Sequence, residues 1–301
     1  MEEKKGMKEM KENSMIFLKD TDLKILDGIR SAVDKIALPK FWSGDHSRPK
    51  LPDDNDIFRS IAEKRAYGAA QSRLVEAMIN DGAMGRAFAG FNVMLAIELK
   101  EKEIIDQYWP EIKVIRFKKK VGEILETAKV IAGIGREFGS FAEYLERVGK
   151  PRKIEQAEDI EPFWREFDRL LAALKARKLP IISNEITLLH FLEAHLQLDC
   201  IKPDIVVMRV MTNTGMVPAK RKDKHRLAVM KIQEYCLLRK IRPQTVDRYL
   251  LAFGGQTSAK AFVKKSYCED DGRCGSSDCP LGKARLCPTW CGYKLSATSQ
   301  G

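Results

Sequence analysis

Two stretches of the chain carry residue types whose spacing could do chemistry. The first is Ile201-Lys202-Pro203-Asp204-Ile205-Val206-Val207-Met208-Arg209-Val210, where Asp204 stands at the start of an apolar helical pattern. An N-cap carboxylate is held ionised by the macrodipole and the free backbone N–H groups of the first turn. Such a group can direct water or stabilise a developing cation, or it can be a plain structural cap. The second stretch holds Cys268, Cys274, Cys279, Cys287 and Cys291, five of the seven cysteines within 24 residues. In a chain without a secretory segment, such clustering reads as metal ligation rather than disulfides. No histidine falls inside the segment, so the site would be all-thiolate, open to structural zinc or to an iron–sulfur cluster. The gaps of five, four, seven and three residues contain no Cys-x2-Cys pair of the kind that wraps a small ion, and they favour loops around a larger cube. Cys200 and Cys236 lie in apolar helical stretches and read as core residues. The four histidines, His46, His190, His195 and His225, are scattered and form no ligand grouping.

The elements that must position these residues are helical. Apolar residues recur at three- and four-residue intervals in Ile57–Ile79, Phe117–Ile131 and Phe163–Leu174, and no segment alternates as a strand. Breaks are predicted where Pro, Gly or Asp cluster, at Lys40–Asp56, Asn80–Gly85, Gly133–Gly139, Gly149–Pro162 and Val217–Asp223. The fold class is therefore all-α, with about ten helices. One joint is informative. Phe163–Leu179 reads as a helix, Pro180–Ser183 as a tight turn, and Glu185–Leu196 as a second helix capped by Ser183 or Asn184. A third helix, Ile205–Thr214, follows Pro203 and Asp204. Such a turn could offer backbone N–H groups to a phosphate, or simply connect two helices.

Charge is unevenly placed. The net +11 arises wholly after Asp204, where 18 basic residues face 7 acidic ones, against 35 of each before it. A field of one sign attracts polyanions, so nucleic acid is the partner class this distribution favours over a merely solvated face. Arg116–Lys120 is a further basic run, read as a solvated face that could touch phosphates. The first residues, Met1–Glu12, have no apolar core, and no 18-residue apolar stretch occurs, so no membrane contact is expected and the location reads as cytoplasmic.

In their order these pieces resemble the helix-hairpin-helix DNA glycosylase superfamily, in particular its iron–sulfur branch typified by endonuclease III and the adenine glycosylases. The resemblance runs from about Ile57 to Lys294. Asp204 with Arg209 five residues later is similar to the family's catalytic segment, and Leu179-Pro180, 25 residues before Asp204, to the start of its hairpin. Val246-Asp247-Arg248-Tyr249-Leu250-Leu251-Ala252-Phe253-Gly254 resembles the helix leading into the cluster loop, and Arg273-Cys274-Gly275-Ser276 the stretch at its second ligand. The chain departs from the pattern in four places. Its hairpin, Leu-Pro-Ile-Ile-Ser-Asn, lacks the usual glycines, and no lysine nucleophile follows it. Its cysteine gaps are wider, so Cys287 and Cys291 compete for the last ligand. A glutamine of the duplex-probing loop is replaced around Lys64–Tyr67.

What the resemblance implies is a two-lobed helix-hairpin-helix glycosylase fold with a C-terminal cysteine-ligated 4Fe-4S loop (268–291). A helical barrel would span 55–198, and a second lobe 1–54 plus 199–301. The expected activity is that of a monomeric, monofunctional DNA glycosylase, which takes a damaged or mismatched base out of double-stranded DNA and hydrolyses its N-glycosidic bond. Asp204 would be catalytic. Pro180, Ile181, Ile182, Ser183, Arg209, Lys264, Lys265 and Arg273 would contact DNA, and Cys268, Cys274, Cys279 and Cys287 would ligate a structural cluster. The alternative is a non-catalytic DNA-structure binder that retains fold and cluster. A third reading is a zinc-bound helical interaction module.

Overall fold

A computed structural model describes residues 17–35, 53–67, 70, 72–254, 267–268 and 278–289. In chain order its α-helices are α1 (Asp20–Asp34), α2 (Asp54–Tyr67), α3 (Ser72–Asn80), α4 (Ala83–Ala87), α5 (Val93–Ala96), α6 (Glu101–Ile112), α7 (Lys119–Phe138), α8 (Phe141–Val148), α9 (Ile160–Ala176), α10 (Glu185–Leu196), α11 (Ile205–Asn213), α12 (Lys224–Arg239), α13 (Pro243–Gly254) and α14 (Pro280–Lys283). No strand occurs among the described residues, so the fold is all-α. No helix among them is long and apolar enough to cross a membrane. The chain forms two compact units. One comprises Met1–Asp45, Lys153–Pro162 and Asp199–Gly301, and the other His46–Arg152 and Phe163–Leu198.

In the first unit, α1 and the two residues Phe17 and Leu18 ahead of it are fastened to α12 through carboxylates on both helices. Asp22 and Lys231 form a buried ion pair. Glu234 Oε2 accepts the backbone N–H groups of Phe17 and Leu18 at 2.8 and 2.7 Å. Asp27 accepts from Tyr235 Oη and Arg239 Nε, each at 2.9 Å. Burial would raise the Asp27 carboxyl, but the Arg239 and Tyr235 hydrogen bonds outweigh it and hold it below the ordinary carboxylate range. Helix α13 lies close on α11. A Cβ at Gly254 would stand 2.6 Å from Val206 Cγ1 and 2.9 Å from Val210 Cγ2, so this crossing depends on glycine.

In the second unit, α2 and α7 pack together, and this contact corrects one expectation. The helical periodicity of Ile57–Ile79 is carried by α2 and α3. The glycines read as a break at Gly133–Gly139 lie inside α7, which ends only at Gly139, where φ is +95°. Glycine weakens a helix interior by about 1 kcal/mol, but here close packing decides. A Cβ at Gly135 would come within 3.0 Å of Asp54 Oδ2, while Asp54 Oδ1 accepts the Phe141 backbone N–H at 2.9 Å. Burial raises the Asp54 carboxyl.

The Arg116–Lys120 run is not one solvated face. Arg116, Lys118 and Lys119 are exposed, but Lys120 is 1% exposed and donates to the Ala66 carbonyl at 3.2 Å. Burial first, then the Arg65 charge, pushes its ammonium down to about 8.

Candidate functional site

Asp204 is the N-cap of α11, with extended backbone angles (φ −77°, ψ −176°). Its Oδ1 accepts two backbone N–H groups, from Val206 at 2.9 Å and Val207 at 3.1 Å. Both donors converge on one oxygen, so the carboxylate is fixed in orientation while Oδ2 makes no hydrogen bond among the described residues. The residue is half-buried, and Ile205 beside it is 65% exposed, so the helix start faces outward. A carboxylate held in this way can accept a proton from water or face a cation.

The hairpin expected at Pro180–Ser183 lies in the second unit, between α9 and α10. Ile181 has φ +71°, in the left-handed region that is a clear outlier for a β-branched residue. The Ile182 N–H donates to the Pro180 carbonyl at 2.7 Å, and the Ser183 hydroxyl donates to the Leu179 carbonyl. The Ile181 carbonyl accepts from Asn184 Nδ2 at 3.1 Å and from the Thr187 hydroxyl. Of the two cap residues left open by the sequence, Asn184 serves, its Oδ1 accepting the Thr187 N–H at 3.0 Å. Ile182 is 1% exposed and anchors the turn in the core. Pro180, Ile181 and Ser183 are half-buried at the turn surface.

Three of the candidate ligands, Cys268, Cys279 and Cys287, are buried, and none of the described cysteines is in a disulfide. Asn213, the last residue of α11, joins two of them. Its side-chain amide donates to Cys268 Sγ at 3.3 Å, while its carbonyl accepts from Cys287 Sγ at 3.6 Å and Thr289 Oγ1 at 2.9 Å. Cys268 also feels the charges of Cys287 and Cys279. Burial first, and those two thiols further, push Cys268 up to about 11 against the opposing Asn213 hydrogen bond and Arg209 charge. Arg209, expected on the DNA face, is 5% exposed and within electrostatic range of Cys268. Among the described residues no three ligand-type side chains are gathered tightly enough to hold one metal ion. The donor set is buried, all-sulfur and hydrogen-bonded from an amide, features that suit a cluster completed by further loop cysteines. Cys274, Cys291, Lys264, Lys265 and Arg273 lie outside the described residues. Cys200 and Cys236 are buried, and burial pushes the Cys236 thiol far up.

One group of side chains in the second unit was not singled out by sequence reading. Ser60 and Lys64, one turn apart on α2, both meet His195 near the end of α10. Lys64 Nζ stands 2.7 Å from His195 Nε2, and Ser60 Oγ contacts the same nitrogen. A lysine only donates, so Nε2 is the acceptor and the neutral ring carries its proton on Nδ1. Burial, then the Lys64 charge, pushes the imidazole down to about 4. These residues line a cavity of about 330 Å³ together with Arg59, Glu63 and Tyr67. The (i, i+4) spacing of Ser60 and Lys64 was readable, but the arrival of a histidine 131 residues beyond Lys64 was not. Compared with protein-family models, with characterised proteins and with solved structures, the chain has no match.

Proposed function

We propose that the protein is a DNA glycosylase with a helix-hairpin-helix, two-lobed fold. It would extrude a damaged or mismatched base from duplex DNA and hydrolyse the N-glycosidic bond. The observation that carries this reading is Asp204, whose Oδ1 is fixed by two backbone N–H groups while Oδ2 remains available at an outward-facing helix start. In the proposed mechanism the charge of Asp204 stabilises the oxocarbenium character that develops on the sugar, and its free oxygen orients the water that adds at C1′. The residues after the hairpin are Asn184, Glu185 and Ile186, so no amine is placed there to form a Schiff base. The product is then an intact abasic site.

The backbone of the hairpin supports the same reading. Ile181 follows Leu179-Pro180 in a left-handed conformation that glycine adopts without strain, at a turn where the family is usually glycine-rich. Cys268, Cys279 and Cys287, with Cys274 from outside the described residues, would hold a 4Fe-4S cluster. Bound there, the cluster would supply no step of the hydrolysis and would serve to hold its loop, while Lys264, Lys265 and Arg273 are the residues proposed to meet the phosphate backbone. The protein would act as a monomer on double-stranded DNA.

The test is a set of labelled duplexes bearing deaminated, oxidised, alkylated or mismatched bases. The expected result is release of one class of base, leaving sites that break only after alkali, with no borohydride-trappable adduct. Tight duplex binding with no base released from any of them would establish the non-catalytic binder instead.

A further inference from the structure

No step of the proposed hydrolysis uses the basic run in the second unit, yet its chemistry is specific. From Lys113 to Gly122 the chain carries five basic residues and no acid. Lys113, Arg116, Lys118 and Lys119 are exposed, and none of the four pairs with a carboxylate among the described residues. The acids on the flanking turns are engaged elsewhere, Glu111 with Arg86 and Glu123 with Arg65. Helix stability does not account for this placement. The positive end of a helix dipole favours acids, but α7 has none in its first turn and starts with Lys118 as cap, followed by Lys119 and Lys120.

Phe117 stands within this run and is 48% exposed. Its position is fixed by the backbone. The Phe117 N–H donates to the Ile115 carbonyl at 3.0 Å across Arg116, whose φ of +73° and ψ of −39° make a three-residue γ-turn of the rare, strained hand. Such a turn persists only where its surroundings over-determine it, and here Ile112 and Ile115 before it and Lys120 and Val121 after it are all buried. Lys120 Nζ lies over the Phe117 ring, 5.8 Å from its centroid, and Lys118 Nζ is 5.6 Å from the Trp109 ring centroid. A held aromatic ring with exposed surface is thus set among four exposed cations.

The complement of these parts is a flat ring flanked by negative charges, which is a nucleotide within a strand. Its base face suits the aromatic ring and its phosphates suit the cations. Inside a duplex each base face is already covered by its neighbours, so the ring is matched to a base that has lost its stacking or pairing partner. A membrane surface would call for a broad apolar face beside the cations, whereas the exposed residues on both sides of Phe117 are all charged. We infer that Lys113–Lys119 is a separate nucleic-acid contact, in which Phe117 stacks on an unpaired base while Arg116, Lys118 and Lys119 meet the flanking phosphates. This contact requires no base excision at Asp204 and stands or falls apart from it.

The experiment measures the affinity of the full chain for a labelled oligothymidylate of about 12 nucleotides by fluorescence anisotropy, with a fully paired duplex of the same length as control. Phe117→Leu, checked for an unchanged thermal midpoint, is expected to weaken binding of the single strand by roughly 5- to 150-fold and of the duplex by less than about twofold. Phe117→Trp should keep the parent affinity, because it keeps an aromatic face. Lys118→Gln and Lys119→Gln are each expected to lower the log-log salt slope for the single strand by roughly 0.7. No binding of oligothymidylate by the parent, full affinity in folded Phe117→Leu, equal weakening on the paired duplex, or an unchanged slope in both lysine variants would overturn the proposal. So would binding to phosphatidylglycerol vesicles that Phe117→Leu abolishes while affinity for oligothymidylate is untouched.

Discussion

The hairpin allows a sharp test through two neighbouring isoleucines with opposite expected outcomes. Ile181 sits at φ +71°, and a β-branched side chain held there costs about 1–3 kcal/mol. Replacing it with glycine relieves that cost. The replacement also loses about 1 kcal/mol from a half-buried side chain, taken as part of the roughly 1.5–3 kcal/mol for full burial, and about 0.4–1 kcal/mol through the freer unfolded chain. These terms nearly cancel, so Ile181→Gly should keep stability within about 1 kcal/mol of the parent. Ile182 is 1% exposed, and Ile182→Ala should cost about 2–5 kcal/mol, the range for truncating a fully buried isoleucine. Urea unfolding of both variants, with midpoint and slope compared, measures this directly. Duplex affinity should rise in Ile181→Gly, because removing the side chain lets the turn backbone approach a phosphate. A loss above about 2 kcal/mol for Ile181→Gly, or a tolerated Ile182→Ala, would refute the assigned backbone and burial.

Three further outcomes are expected. Anaerobically purified protein should contain about four irons per chain and absorb near 400 nm, and Cys279→Ser should lose iron and duplex affinity together; stoichiometric zinc without iron would remove the cluster. Duplex affinity should fall steeply with salt, and neutralising exposed Lys283 or Arg285 should each reduce the log-log slope by roughly one if that residue meets one phosphate. The His195 imidazole should titrate at about 4. Its folded value lies below its unfolded one of about 6.5, so the unfolded chain takes the proton first and stability falls as pH drops from about 6.5 to about 4. His195→Gln should flatten that part of the pH–stability curve, and a curve identical to the parent's would contradict the buried neutral ring.

Local chemistry made part of this architecture readable. The bounds of α10 follow from the Pro180 turn on one side and the loss of apolar periodicity on the other, and the cap role of Asp204 follows from Pro203 and the apolar run after it. Features governed by distant packing were not readable. Gly133 and Gly135 look like helix breakers, yet Gly135 is what lets α7 approach Asp54. Lys120 belongs to a basic run, but the fold turns it alone inward to the Ala66 carbonyl. The grouping of Cys268 and Cys287 about Asn213 spans 55 and 74 residues, and nothing near Asn213 in sequence announces it. Arg209 had the offset of a DNA contact, but in α11 that offset carries it to the buried side beside Cys268.

The central claim is that the free carboxylate oxygen of Asp204 drives base excision. The most direct measurement is single-turnover release of the base from whichever duplex the wild type acts on, compared between wild type and Asp204→Asn. Asparagine keeps an oxygen to accept from the Val206 and Val207 N–H groups, so folding and duplex affinity should be unchanged. The charge and the proton acceptor are lost, and excision should slow by about 10² to 10⁴ or more. A folded, duplex-binding Asp204→Asn that releases the base at the wild-type rate would contradict the account.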